Sequence, residues 1–249
     1  MKNDASRTLN NYLRSRTNTV YYLGDDSGIK MFSDFFKNGI TIDGDEPDMV
    51  ILKDSTAIVV EHFEFDSSYT NRKGSSYRKD EARIKREIQE KTKDFNEFVH
   101  LDTINASFTY ENFITNVTEN FLDHYSKIEK YKRNLLDKKI IKEEYDVKIM
   151  FLIEDVSPIG SMTFDINKNK VEELPVVLAL SPEFLDLLAN HRDVDFVMCC
   201  SCVGNNEYVC FIDRDDISSY KECQCDYANM RFFGNQPVVF AGCFIDSDN

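Results

Sequence analysis

Apolar and polar positions alternate with two different periods along this chain. Residues 4–16 and 26–38 keep helical spacing; the second stretch has Asp25, Asp26 and Ser27 as start signals, an apolar set of Ile29, Met31, Phe32, Phe35 and Phe36, and Gly39 as a stop. The period then changes to two: Asp48 to Asp66 reads as two strands around Asp54-Ser55. A polar loop from Ser67 to Ser76 leads into a helix expected over 77–99, with Ile84, Ile88, Lys91, Phe95 and Phe98 in its stripe. A longer helix is expected over 110–137, where Ile114, Val117, Phe121, Tyr125, Ile128, Tyr131 and Leu135 follow one another at steps of three and four. Strand character returns at Val147 to Ile153 and at Val176 to Leu180. Ser181-Pro182-Glu183 then opens a short helix ending near Asn190, with Ser181 as its cap. Phe196 to Val203 and Tyr208 to Ile212 flank Gly204-Asn205-Asn206, a hairpin signal. With no internal repeat and no Pro- or Gly-rich linker, the order predicts a single α/β domain over 1–249, a mixed central sheet flanked by helices.

Composition narrows the class. The 249 residues are 42% hydrophobic and 30% charged, with a formal net charge of −14, which describes a globular chain able to build a core without disulfides. The longest apolar runs are a handful of residues, too short to span a bilayer. The N-terminal residues Met1 to Ser6 lack the apolar stretch of a secretory signal. All seven cysteines fall between Cys199 and Cys243, an odd set that suits reduced thiols in a cytoplasmic protein. Cys200-Ser-Cys202 and Cys223-Gln-Cys225 raise structural zinc as an alternative. One-residue gaps are tighter than the usual ligand spacing, and Cys199, Cys200, Cys202 and Cys210 lie in strand-like stretches that favour core thiols.

The first hairpin carries the most specific information. A two-residue turn at Asp54-Ser55 pairs Lys53 with Thr56 and, counting outward along both strands, Asp48 with Glu61. Alternation then gathers Asp48, Val50, Leu52, Ala57, Val59, Glu61 and Phe63 on one face and sends His62 to the other. Two carboxylates facing each other on an apolar surface repel. Either they meet solvent or a basic neighbour near the strand end, or a divalent cation such as Mg²⁺ joins them.

Pro47-Asp48, a hydrophobic hairpin, and Val-Val-Glu61-His62-Phe63 together resemble the core motif of the PD-(D/E)XK nuclease superfamily. The resemblance covers about residues 26–100, with the helix over 26–38 before the hairpin and the helix over 77–99 after it. It implies a restriction-endonuclease-like fold and hydrolysis of DNA or RNA. Asp48 and Glu61 would hold Mg²⁺ or Mn²⁺, and by analogy a nuclease of this kind would belong to a defence, restriction or mobile-element system. The motif lysine is replaced by Phe63. Lys79, with Lys73 and Arg83, stands as the substitute cation on the following loop and helix; a bulge after Glu61 could instead turn Glu64 or Asp66 inward. The competing reading is a catalytically inactive nuclease-like fold that serves as a protein interaction or regulatory module.

Charge is segregated. Seven basic residues between Arg72 and Arg86 stand against Asp80 and Glu81, which makes Lys73, Arg78, Arg83, Lys85 and Arg86 the candidate nucleic-acid contacts. A second cluster of seven between Lys127 and Lys142 stands against Glu129 and Asp137. Either could equally be a solvated helix face with i,i+4 pairs such as Glu81–Lys85. Residues 143–249 hold seven basic and twenty acidic side chains, a surface suited to a protein partner.

Overall fold

The structure, a computed structural model, describes residues 4–14, 20–24, 26–71, 74–91, 99–103, 109–157, 161–165, 170–174, 176–203, 206–222 and 238–242. Its centre is a seven-stranded mixed sheet built from β1 (Val20–Gly24), β2 (Ile40–Asp43), β3 (Met49–Lys53), β4 (Thr56–Phe65), β5 (Asp146–Asp155), β6 (Phe196–Val203) and β7 (Asn206–Asp213). The spatial order is β1-β7-β6-β5-β4-β3-β2. The middle strands β4, β5 and β6 run parallel, while β2 and β3 on one side and β7 on the other complete it through antiparallel pairs. β1 joins the far edge parallel to β7.

Helices cover both faces. On one side α1 (Asp4–Arg14) and α2 (Asp26–Asn38) lay Ala5, Leu9, Ile29, Phe32 and Phe36 against Met49, Ile51, Ile58, Val60, Met150 and Leu152. On the other, α4 (Tyr110–Tyr125), α5 (Ile128–Asp137) and α6 (Pro182–Asn190) pack Phe113, Phe121, Tyr131, Leu135 and Phe184 against Val50, Val59, Phe63, Phe151 and Ile153. α3 (Ser76–Lys91) follows β4, and α7 (Ile217–Lys221) follows β7. The middle strands are apolar on both faces because both faces are covered, as expected of parallel strands in such layers.

Most of the expected elements form. The β3–β4 register pairs Lys53 with Thr56 and Met49 with Val60, as the two-residue turn requires, and Asp54 takes a left-handed φ of 55° in that turn. Ser181 caps α6 by accepting from the amide of Phe184 at 3.3 Å. β6 and β7 pair antiparallel out to Val203 and Asn206, and Gly204 and Asn205 of the expected turn lie outside the described residues.

Other expectations are corrected. The helix over 110–137 is two helices, broken at Ser126-Lys127, where the Ser126 hydroxyl bonds back to the Asp123 carbonyl at 2.7 Å. The apolar steps run unbroken across the bend because both helices press the same face onto the sheet. The run Val176 to Leu180 is no strand: Leu178–Leu180 form a 3₁₀ turn closed by Leu180 N–H to the Val177 carbonyl at 2.9 Å. Val176 to Ala179 are buried there, and a short apolar run does not by itself distinguish a buried strand from a buried turn. The helix over 77–99 ends at Lys91 within the described residues, and Val99 opens a strand, Val99–Thr103, antiparallel to Val238–Gly242. Lys91 was expected in its stripe, whereas Phe95 and Phe98 lie outside the described residues. Two short edge strands, β1 and β2, were not anticipated.

Gly39 ends α2 under tight constraint. A methyl group there would sit 2.7 Å from both the Phe35 carbonyl oxygen and the Ile51 side chain, and a backbone oxygen cannot give way cheaply. Gly39→Ala is expected to destabilise the fold by about 1–3 kcal/mol, read as a lower urea midpoint at unchanged slope.

Candidate functional site

The register brings Asp48 and Glu61 together at the open end of the β3–β4 hairpin. Each carboxylate rests on an amide of the opposite strand: Asp48 Oδ2 accepts from His62 N–H at 2.8 Å, and Glu61 Oε2 lies 3.4 Å from Asp48 N. They point to the α4–α5 face, shared with Val50, Val59 and Phe63. Glu61 is only 5% exposed. Its Oε1 meets His124 Nδ1 at 2.9 Å and accepts from the Tyr131 hydroxyl at 2.7 Å. Burial holds the Asp48 carboxyl above its ordinary range against the pull of the His62 amide, and the nearby Glu61 charge adds to the rise. The Tyr131 phenol is pushed far up, first by burial and then by its bond to Glu61, so it stays a donor.

Phe63, at the motif lysine position, is buried and stacks on His124 with ring centroids 4.7 Å apart and planes 11° apart. Its other face of contact is Phe151, edge-on at 5.8 Å. The ring therefore packs the floor of the site and orients His124. There is no bulge after Glu61: β4 and β5 stay in register through Phe65 and Asp155. Glu64 accordingly remains on the His62 face, and Asp66 accepts from the Ser68 amide and hydroxyl beyond the strand end.

The basic residues of α3 make helix-face pairs, the i,i+4 pair of Lys85 with Glu81 among them. On α3, Arg78 reaches Glu64 at 3.2 Å and Asp66 at 3.7 Å. Arg83 pairs with Glu87 and Asp80, Lys85 with Glu81, and Arg86 donates to the Ala82 carbonyl, so these cations largely serve their own helix. Lys79 sits half-buried on the first turns of the same helix. Lys73 lies outside the described residues. In the second cluster Lys130 forms an ion pair with Glu46, two residues before Asp48, Lys127 pairs with Asp123 at 2.6 Å, and Lys127 and Lys138 help lower the Glu46 carboxyl through their charges. Asn134 donates to the Glu46 carbonyl at 3.1 Å.

Sequence reasoning missed His124 and Tyr131 as site residues. They are seven positions apart on what reads as one amphipathic stretch, and that spacing is the signal that both face the same strand. The cysteines resolve more simply. Cys199, Cys200 and Cys210 are buried free thiols, and burial raises them, Cys210 to about 12. Cys223, Cys225 and Cys243 lie outside the described residues. No described helix is long and apolar enough to cross a membrane.

Compared with protein-family models, with curated proteins and with solved structures, the chain finds no match.

Two stability tests follow from this geometry. An aspartate raised by burial loses folding free energy once ionised, and that loss is absent below the ordinary aspartate range, where the unfolded chain is protonated as well. Asp48→Asn is therefore expected to raise the thermal midpoint at neutral pH in chelator, with the gain shrinking as the pH falls through the raised Asp48 value. Tyr131→Phe leaves a buried carboxylate oxygen one donor short and should cost about 1–3 kcal/mol by urea unfolding.

Proposed function

We propose that this chain is a metal-dependent nuclease of the PD-(D/E)XK type, hydrolysing phosphodiester bonds of DNA or RNA. The observation that carries this reading is the apposition of Asp48 and Glu61 across the hairpin on a face that is otherwise apolar. Mg²⁺ or Mn²⁺ fits such a pair, since hard cations bind through one or two carboxylates and complete their shells with water and substrate phosphate. Glu61 offers Oε2, because Oε1 is taken by His124 and Tyr131. Bound there, the ion would acidify a water and polarise the scissile phosphodiester.

The chain's own residues then divide the work. Tyr131 and His124 fix the Glu61 carboxylate, and Phe63 fixes the His124 ring. His124, with 17% of its side chain exposed, is positioned to exchange a proton with solvent or with a leaving oxygen. Lys79 on α3 would supply the cation missing at Phe63, and Lys127, Lys130 and Lys138, which lie near Glu46, would meet the phosphate backbone.

A second reading rests on Phe63. With an aromatic ring where the motif places a lysine, the fold could serve as a binding module for a protein partner.

Cleavage of plasmid DNA and of structured RNA by the full chain separates the two. The nuclease reading expects degradation with Mg²⁺ or Mn²⁺ that stops in chelator and falls at least ~100-fold in Glu61→Gln and in Asp48→Asn, the scale lost with a group that acts in the transition state. Lys130→Ala should raise KM more than it lowers kcat. Equal activity in wild type and Glu61→Gln, or none in wild type with either metal, overturns the assignment.

A further inference from the structure

The opposite face of the same strand carries a second donor set. His62 and Glu64 are two residues apart on β4 and so share the α1–α2 side of the sheet. Glu154 lies on the adjacent parallel strand β5, directly across from Glu64. One ligand atom from each of His62, Glu64 and Glu154 falls within 4.8 Å of the others, and among the described residues this is the cluster of metal-ligating side chains with that closeness.

We infer that His62, Glu64 and Glu154 form a binding site for a first-row divalent transition cation such as Mn²⁺ or Zn²⁺, separate from Asp48 and Glu61. Four features support it. The set mixes one imidazole nitrogen with two carboxylates, a donor combination that suits first-row transition ions better than Ca²⁺. It is mounted on two hydrogen-bonded strands at the centre of the sheet, so its geometry is fixed by register and needs no loop to close. His62 Nε2 lies 3.2 Å from Glu154 Oε2, a contact the ion would replace, while outside the set Thr8 on α1 donates to the same oxygen at 3.0 Å and Arg78 engages one Glu64 oxygen at 3.2 Å. Such outer contacts orient ligands in metal sites. Finally, access is built in. The imidazole is 7% exposed and Glu154 21%, yet Glu64, at 35%, lines a cleft of about 350 Å³ with Tyr77, Arg78, Glu81 and Val156.

The position of that cleft gives the site a use. It opens at the carboxyl ends of the parallel strands β4 and β5, where α/β sheets bind their ligands. An ion on Glu64 and Glu154 would present open positions toward the cleft, and Arg78 stands at the rim as a partner for an anion. The ligand class that fits is a small anionic group, a phosphate or a carboxylate, bridging the ion and the Arg78 guanidinium.

The test uses the full chain carrying Glu61→Gln, which removes the proposed nuclease metal and leaves this site intact, so failure here is distinct from failure of the nuclease reading. Mn²⁺ avoids the thiols that would complicate Zn²⁺. Titration followed by electron paramagnetic resonance should give one bound Mn²⁺ per chain, with ¹⁴N modulation from an imidazole in the pulsed spectrum. Glu64→Gln and Glu154→Gln should each weaken binding at least tenfold. Thr8→Val, which touches no ion, should weaken it by about 10-fold, the lower end of what a lost outer partner costs. His62→Gln should abolish the ¹⁴N signal; because that variant alters a buried side chain, its circular dichroism and thermal midpoint are recorded beside it. No bound Mn²⁺ in the Glu61→Gln chain, or binding unchanged by Glu64→Gln and Glu154→Gln, overturns the proposal.

Discussion

The register of the β3–β4 hairpin is the constraint on which the rest depends. A two-residue turn at Asp54-Ser55 sets every pair outward to Met49 and Val60, and alternation then assigns each side chain to one of two faces. A slip of one residue would drive Val59 and Phe63 toward α1 and α2 and expose Val60 to the α4–α5 layer. Both faces are buried, so both apolar sets hold the register in place. The same parity places Glu61 among Tyr131 and His124 on one side and His62 with Glu64 on the other. Four consecutive residues of one strand, Glu61 to Glu64, thus supply two polar clusters on opposite faces of the sheet.

How much of this was legible in the sequence follows from the range of the forces involved. Alternation, the turn at Asp54 and the Ser181 cap are local, and they are seen as read. The pairing of Glu61 with Tyr131 joins residues 70 positions apart, and nothing local announces it. The 3₁₀ turn at Leu178–Leu180 shows the converse: an apolar run records burial, while its conformation depends on whether a strand stands beside it. Edge strands β1 and β2 are short and depend on the sheet for their form, which is why four or five residues alone gave no signal.

Charge teaches the same lesson about distance. The cluster between Arg72 and Arg86 follows the hairpin directly in sequence, but its arginines and lysines spend themselves on Glu64, Asp66, Glu81 and Glu87. The cluster beginning at Lys127 is far along the chain, and α5 returns it to Glu46 beside Asp48. Exposed pairs of the first kind add little stability, roughly 0–1 kcal/mol each. Lys127 and Lys132 of the second cluster are paired in the same way, with Asp123 and Glu129. The net charge of −14 hides this arrangement, since it averages two local surpluses of base with an acidic second half.

The most direct measurement is anomalous diffraction from crystals of the full chain equilibrated with Mn²⁺. The expected result is a manganese peak bridging the Asp48 and Glu61 carboxylates on the α4–α5 side of the sheet, lost in Glu61→Gln. A map at saturating Mn²⁺ with no density between those two carboxylates would contradict the assignment of Asp48 and Glu61 as a metal pair.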